Sequence, residues 1–222
     1  MSQVSRSDYR PALRFNWLTP VYDRVVGATT RERSFKRALI RQAGIAPGHQ
    51  VLDVGSGTGT LAIWVKQSEP SASVSGVDAD AAILALARRK ARKADAAVHF
   101  DEALSYSLPY PSLHFDRVLS SLFFHHLTRE NKYRTALELF RVLRPGAELH
   151  FADWGVAANR FMRGLFFSVQ LLDGFRNTQD NVSGKLPEVF RQAGFSKVVQ
   201  RQSFSTMYGT LALYSAVKAK LR

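Results

Sequence analysis

The residues of this chain best suited to chemistry begin with three glycines. The stretch "VLDVGSGTGTLAIWV", residues 51–65, holds Gly55, Gly57 and Gly59 between two apolar runs. Glycines so placed let the backbone turn sharply and bring its N–H groups against a ligand with no Cβ in the way. The spacing is G-x-G-x-G followed by Thr60, whereas a dinucleotide pyrophosphate cradle needs G-x-G-x-x-G. Asp78 closes the next apolar run, where a carboxylate can accept hydrogen bonds from both hydroxyls of a ribose. The plainer alternative makes residues 55–59 a tight turn and Asp78 a helix N-cap.

A second group is built for handling protons. The segment "FFHHL" sets His125 beside His126, and imidazole titrates near neutral pH. Tyr22 and Asp153 join them as candidate catalytic groups. Alternatively, one histidine packs against Phe123 and Phe124 while the other caps a helix or faces water. No metal site is expected, because adjacent residues at a strand end point to opposite sides and no third ligand follows at helical spacing. With no cysteine in 222 residues, thiolate nucleophiles and disulfides are excluded.

These groups need elements to position them. Apolar runs predict strands at 51–54, 72–78, 97–100, 117–121 and 148–152. Helical spacing predicts helices at 60–68, at 80–95 with Ile83, Leu84, Ala87 and Ala91 inward, and at 129–143 on the pattern Tyr133, Ala136, Leu137, Phe140. Strand alternating with helix is the signature of an α/β fold with a parallel sheet covered on both faces. Its ligand sits at the carboxyl ends of the strands, where the strand order reverses. The glycines, Asp78 and the histidine pair all fall at that end.

With "VSGVDADAAILALARRKA", "LPYPSLHFDRVLSSLFFHHL" and "LFRVLRPGAELHFADWG" following the glycines in order, residues 51–155 resemble the class I S-adenosylmethionine-dependent methyltransferases. "LTPVYDRVVGATTRERSFKRALI" is similar to the lid of the ubiquinone and menaquinone biosynthesis group. "LPEVFRQAGF" and "GTLALYSAVKA" resemble that fold's last helix and closing antiparallel strand pair. The resemblance implies a Rossmann-like three-layer sandwich: a seven-stranded, mostly parallel sheet whose last strand is antiparallel, with an N-terminal helical lid. One domain, 1–222, would comprise a lid at 1–45, a cofactor core at 46–155 and a substrate-side insertion with the strand pair at 156–222. The implied cofactor is S-adenosylmethionine, leaving as S-adenosylhomocysteine.

By the same resemblance, Asp53, Gly55, Ser56, Gly57 and Gly59 hold the amino-acid end and ribose side of that cofactor, with Asp78 and Ala79 at the ribose. Glu102 and Ala103 read the adenine edge, Asp101 being the alternative reader. Ser120, Ser121 and Leu122 lie near the methionine part, unless the serines merely cap the next helix.

A formal net charge of +13 attracts phosphates, anionic membranes or acidic substrates. The basic residues are spread through "TTRERSFKRALIRQ" and "ARRKARKAD" and read as solvated helix faces without aromatics for base stacking, so nucleic acid is a partner in reserve. The expected acceptor is a small apolar or aromatic molecule. Phe15, Trp17, Tyr22 and Val25 would shape its pocket with the insertion at 159–184. There Phe161, Met162, Leu165, Phe166, Val169 and Leu172 form an apolar face bounded by Arg160, Arg163 and Arg176. That face fits a pocket wall, a packed helix or peripheral membrane contact. With no apolar run of signal-peptide or transmembrane length, a cytoplasmic location is the default. An RNA methyltransferase and a non-catalytic cofactor-binding protein are the alternatives, and no feature sets an oligomeric state.

Overall fold

The structure is a computed structural model that describes residues 31–220. Tyr22, Phe15, Trp17 and Val25, and the part of the expected lid that carries them, lie outside the described residues. In chain order the elements are α1 (Glu32–Ala43), β1 (Gln50–Val54), α2 (Thr60–Ser68), β2 (Ser73–Asp78), α3 (Ala81–Lys93), β3 (Val98–Glu102) and β4 (Phe115–Ser121). After a 3-10 turn (Phe124–His126) come α4 (Arg129–Val142), β5 (Leu143–Trp154), α5 (Arg160–Asp173), α6 (Phe175–Val182), α7 (Leu186–Gln192), β6 (Ser196–Thr206) and β7 (Gly209–Val217).

The strands form one seven-stranded sheet in the order β3-β2-β1-β4-β5-β7-β6. β7 runs antiparallel to both its neighbours, β5 and β6, and the other pairings are parallel. From β1 the chain builds outward through β2 to β3, then returns to place β4 on the other side of β1. The reversal therefore lies between β1 and β4, and the crevice at their carboxyl ends is where such a sheet receives a ligand.

Strand alternation divides the core. Val51 faces one layer with Phe35 and Leu39 of α1, Leu61 and Ala62 of α2, and Leu84 of α3. Leu52 and Val54 face the other with Ala136 and Leu139 of α4 and Phe190 of α7. Asp53, two residues beyond Val51, accordingly belongs to the α1/α2 side. α3 buries Ile83, Leu84, Ala87 and Ala91, as its spacing predicts.

Three expectations need correction. α4 forms where predicted, but it buries Lys132, Thr135, Ala136, Leu139 and Val142, while Tyr133 and Leu137 are exposed. The polar Lys132 and Thr135 find partners inside the protein, so polarity misidentified the inward face. In α1 the arginines Arg33, Arg37 and Arg41 are exposed as expected, but Lys36 is buried on the sheet side with Phe35, Ala38, Leu39 and Ala43. In α5, Phe166 and Val169 are buried but Phe161 is 70% exposed, and Phe167 and Leu171 also face outward; the Leu172 side chain lies outside the described set. No helix among the described residues is long and apolar enough to cross a membrane.

Candidate functional site

The glycine turn has a separate physical reason at each glycine. All three have positive φ: 68° at Gly55, 52° at Gly57 and 75° at Gly59, a region that L side chains enter only at a cost. A Cβ on Gly55 would stand 2.2 Å from the Phe123 ring, and one on Gly59 would stand 2.8 Å from the Phe100 ring. At Gly57 a Cβ would meet nothing within 4 Å. Gly55 and Gly59 thus make room for the protein's own rings, and Gly57 borders open space.

Asp78 ties this turn to the end of β2. Its Oδ2 accepts the Gly57 N–H at 2.9 Å and its Oδ1 accepts the Asp80 N–H at 3.1 Å. The N-cap of α3 is Asp80, which accepts from Ala82 and Ile83, so the capping alternative for Asp78 is removed. Burial raises the Asp78 pKa, and the amides of Gly57 and Asp80 pull against that rise. Glu102 lies opposite Asp78 in the β2–β3 register. Its side chain makes no hydrogen bond among the described residues, whereas Asp101 is held by the Tyr110 hydroxyl at 2.7 Å and by His99 at 2.9 Å. Ala103 donates its N–H to the Asp78 carbonyl, which keeps the β3 end beside β2.

Below the turn, Asp53 is buried. Its Oδ2 accepts the Ala62 N–H at 3.1 Å, while Oδ1 has no partner among the described residues, nor does the buried Ser56 hydroxyl. Burial pushes the Asp53 carboxyl up to about 7, with Lys36 drawing it down and Asp78 adding to the rise. A bare carboxylate oxygen inside a protein costs free energy unless something pairs with it.

At the end of β4, Ser120 is fully buried and donates to the Val54 carbonyl at 2.8 Å, joining β4 to β1. Leu122 takes a φ of 54°, a left-handed conformation costing of order 1 kcal/mol or more for a side chain of this kind. That kink carries Phe123 over Gly55 and drops Phe124 into the core. Ser120 and Ser121 do not cap the next helix: Thr128 does, through Asn131.

The histidines sit in the 3-10 turn rather than on strand, so their side chains do not diverge. The rings are 4.0 Å apart between centroids. His125 is buried, with Nδ1 2.8 Å from Asp153 Oδ1. Asp153 is fully buried and also receives the N–H groups of Phe123, Phe124 and Trp154 and the Asn181 amide. Burial alone would lift its pKa, but the charge and hydrogen bond of His125 and the Trp154 amide outweigh burial and hold the carboxyl below its usual range. An ionised Asp153 only accepts, so His125 Nδ1 is the donor. Among the described residues no three or more His, Cys, Asp or Glu gather as metal ligands.

Several polar groups around this turn were not singled out from sequence. Asn177 donates to the His126 carbonyl at 3.1 Å, and Asn181 bridges Asp153 and the Trp154 carbonyl. Fully buried Lys132 donates to the Asn177 carbonyl and lies 3.5 Å from Asp180, which Arg129 also pairs at 2.6 Å. The short helix α6 is thereby fastened to the histidine turn by polar bonds. Its sequence, "FRNTQDNV", reads as solvated, and only the tertiary contacts show otherwise.

The chain is similar to known methyltransferases in sequence and in fold. Residues 51–146 match the methyltransferase domain family. Demethylmenaquinone methyltransferase of Thermus thermophilus is 38% identical over 141 residues, covering 61% of each chain. That of Deinococcus radiodurans is 34% identical over 139 residues, 62% of this chain and 55% of the relative. The chain thus spans little more than half of these curated relatives. Ubiquinone/menaquinone biosynthesis C-methyltransferase UbiE of Bordetella parapertussis is 28% identical over 204 residues, covering 84% and 77%. A SAM-dependent methyltransferase from Aquifex aeolicus superposes with a TM-score of 0.64 at 18% identity over 83% of this chain and 89% of the other. The [4+2]-cyclase SpnF superposes at 0.68 with 20% identity, covering 85% and 82%, so the fold alone does not set the reaction. Residues 51–146 thus match a methyltransferase domain, and the chain resembles the S-adenosylmethionine-dependent methyltransferases of the UbiE group.

Proposed function

We propose that the protein transfers a methyl group from S-adenosylmethionine to a small, apolar or aromatic acceptor of the quinone class in its reduced, quinol form, since its relatives are named for menaquinone and ubiquinone. The observation that carries the reading is the Asp78–Gly57 contact, because it fixes a ribose-type acceptor and an unobstructed backbone turn in one rigid unit at the switch point of the sheet. The donor set fits the cofactor. Asp53 offers an unpaired buried oxygen, Gly57 leaves the space a Cβ would fill, and Asp78 and Glu102 end adjacent strands.

When bound, the cofactor supplies a methyl group activated by a sulfonium. The protein's own task is placement. Ser56, Asp53 and the turn hold the amino-acid end, Asp78 and Ala79 the ribose, Glu102 and Ala103 the adenine edge, and Leu122 the approach from β4. Positioning of two reactants and removal of water can lower a barrier by roughly 7 to 11 kcal/mol. His125, fixed by Asp153, braces the turn that carries His126. His126 and Tyr22 are the groups we assign to the acceptor's proton. Proton removal matters because a quinol ring carbon is nucleophilic once its hydroxyl is ionised.

An apolar acceptor of this class resides in membrane. The outward face of α5, with Phe161, Phe167 and Leu171 beside Arg160 and Arg163, supports peripheral contact with an anionic bilayer. Incubation with methyl-labelled cofactor and, separately, a short-chain demethylmenaquinol and bulk RNA tests the proposal. Label in the quinol supports it, label in RNA alone overturns the acceptor class, and cofactor binding with no transfer to either supports a non-catalytic role.

A further inference from the structure

Lys36 lies in a stretch that reads as solvated, yet it is only 9% exposed. Gln42, near the C-terminal end of α1, donates to the Tyr214 carbonyl, and Ala43 at the end itself accepts from Arg117. Tyr214 pairs with Phe151 in β5, and Arg117 opens the part of β4 that pairs with β1. Lys36, seven residues and about 10 Å back along α1 from Ala43 at 1.5 Å per residue, is therefore carried toward the carboxyl ends of the strands. Lys36 thus stands on the α1/α2 side of the sheet, the side Asp53 faces, and it is close enough to act on the Asp53 carboxyl electrostatically. Its Nζ donates to Glu32 at 2.6 Å, its one hydrogen-bond partner among the described residues, and an ammonium has three N–H donors.

From this juxtaposition we infer that Lys36 and Asp53 form a zwitterion clamp, in which the Lys36 ammonium takes the α-carboxylate of the bound cofactor and the unpaired Asp53 oxygen takes its α-ammonium. The inference rests on the proposed function and deepens it, because it adds a binding residue on α1, outside the methyltransferase domain match at 51–146. Charge argues for the pairing. Glu32, Lys36 and an ionised Asp53 sum to one negative charge, with Lys36 and Asp53 buried. A ligand bearing one ammonium, one carboxylate and one sulfonium brings one positive charge, which offsets that of these three side chains, and Asp78 beside Asp53 adds further attraction for the cation. An empty site leaves Asp53 half-paired, which is the state burial penalises.

The test compares S-adenosylmethionine with decarboxylated S-adenosylmethionine, which keeps the amine and lacks the carboxylate. Calorimetry on the wild type should give at least about 10-fold tighter binding of the intact cofactor, the value of one charge-assisted hydrogen bond. Lys36→Gln should abolish that preference by weakening only the intact cofactor, and Lys36→Arg should restore part of it. Asp53→Asn should weaken both ligands. Wild type that binds the two ligands equally, or a Lys36→Gln variant that loses both alike, overturns the clamp while the cofactor assignment stands. Wild type that binds neither overturns the cofactor assignment itself. The wild-type comparison does not depend on any variant folding.

Discussion

Asp78 accepts the backbone N–H of Gly57 at 2.9 Å across 21 residues of sequence, so the acid at the end of β2 and the open corner of the glycine turn move as one piece. The same carboxylate must serve the turn and the ribose, and each of its oxygens has a lone pair left for the ligand. Asp78→Ala should therefore weaken S-adenosylhomocysteine binding by at least 10-fold, roughly the loss of one or two charge-assisted hydrogen bonds. Unchanged affinity by calorimetry would remove Asp78 from the site.

The three glycines should separate stability from binding. Gly57→Ala meets no atom, so it should lower stability only by the roughly 1 kcal/mol of a strained φ while reducing cofactor affinity, because its Cβ projects into the space the ligand uses. Gly55→Ala drives a methyl into the Phe123 ring and should cost about 1 to 3 kcal/mol more. Thermal melts with and without S-adenosylhomocysteine read both quantities. Equal destabilisation by the two substitutions would show that Gly57 is only a turn.

Asp153 should prove to be a structural keystone beneath the histidines. Asp153→Ala leaves four backbone and side-chain donors and the His125 ring without their acceptor, and should destabilise the protein by about 3 to 5 kcal/mol. Asn181→Ala removes two hydrogen bonds and should cost about 1 to 3 kcal/mol. In a double-mutant cycle the two losses should fall short of additivity by at least 0.5 kcal/mol, as expected of neighbours in one network. Strict additivity in denaturant melts would show that Asn181 acts on something other than Asp153.

Asp53 carries a pH signature of known sign. Its folded pKa, about 7, stands above the ordinary 3.8, so the folded state holds the proton more tightly than the unfolded chain. Its contribution to stability is fully present below pH 4 and is lost as pH rises to 7. Asp53→Asn should therefore raise the melting temperature of the ligand-free protein by several degrees at pH 8 and by almost nothing at pH 4. A gain of equal size at both values would contradict the burial of an ionisable group there.

His150 supplies the opposite slope. Burial lowers its pKa from 6.5 to about 4, against the pull of Glu148 beside it. The neutral ring in the folded state binds protons less readily than in the unfolded chain, so its contribution is complete above pH 6.5 and drains away as pH falls to 4. His150→Gln should flatten acid denaturation over that window relative to wild type. Circular dichroism melts at pH 4.5 and 7 would reveal it, and an unchanged difference between them would locate acid sensitivity elsewhere.

The sequence by itself determined the frame of this protein. Period-two and period-3.6 patterns in residues 51–155 set strand and helix order, because those features act over a few residues and leave a local imprint, and the family resemblance carried by the glycine turn, Asp78 and the later segments implied the cofactor. Tertiary structure alone decided what the polar residues do. Lys132, Asn177 and Asn181 look solvated in a linear reading, since their partners are far away in the chain, and Lys36, although paired with Glu32 one turn away, looks solvated because the sheet it lies against leaves no local mark. The same blindness placed Tyr133 and Leu137 inside α4 when Lys132 and Thr135 occupy the interior. Burial of a charged or amide side chain depends on a partner at hydrogen-bond distance, and that distance exists only once the sheet has brought β1, β4 and β5 side by side.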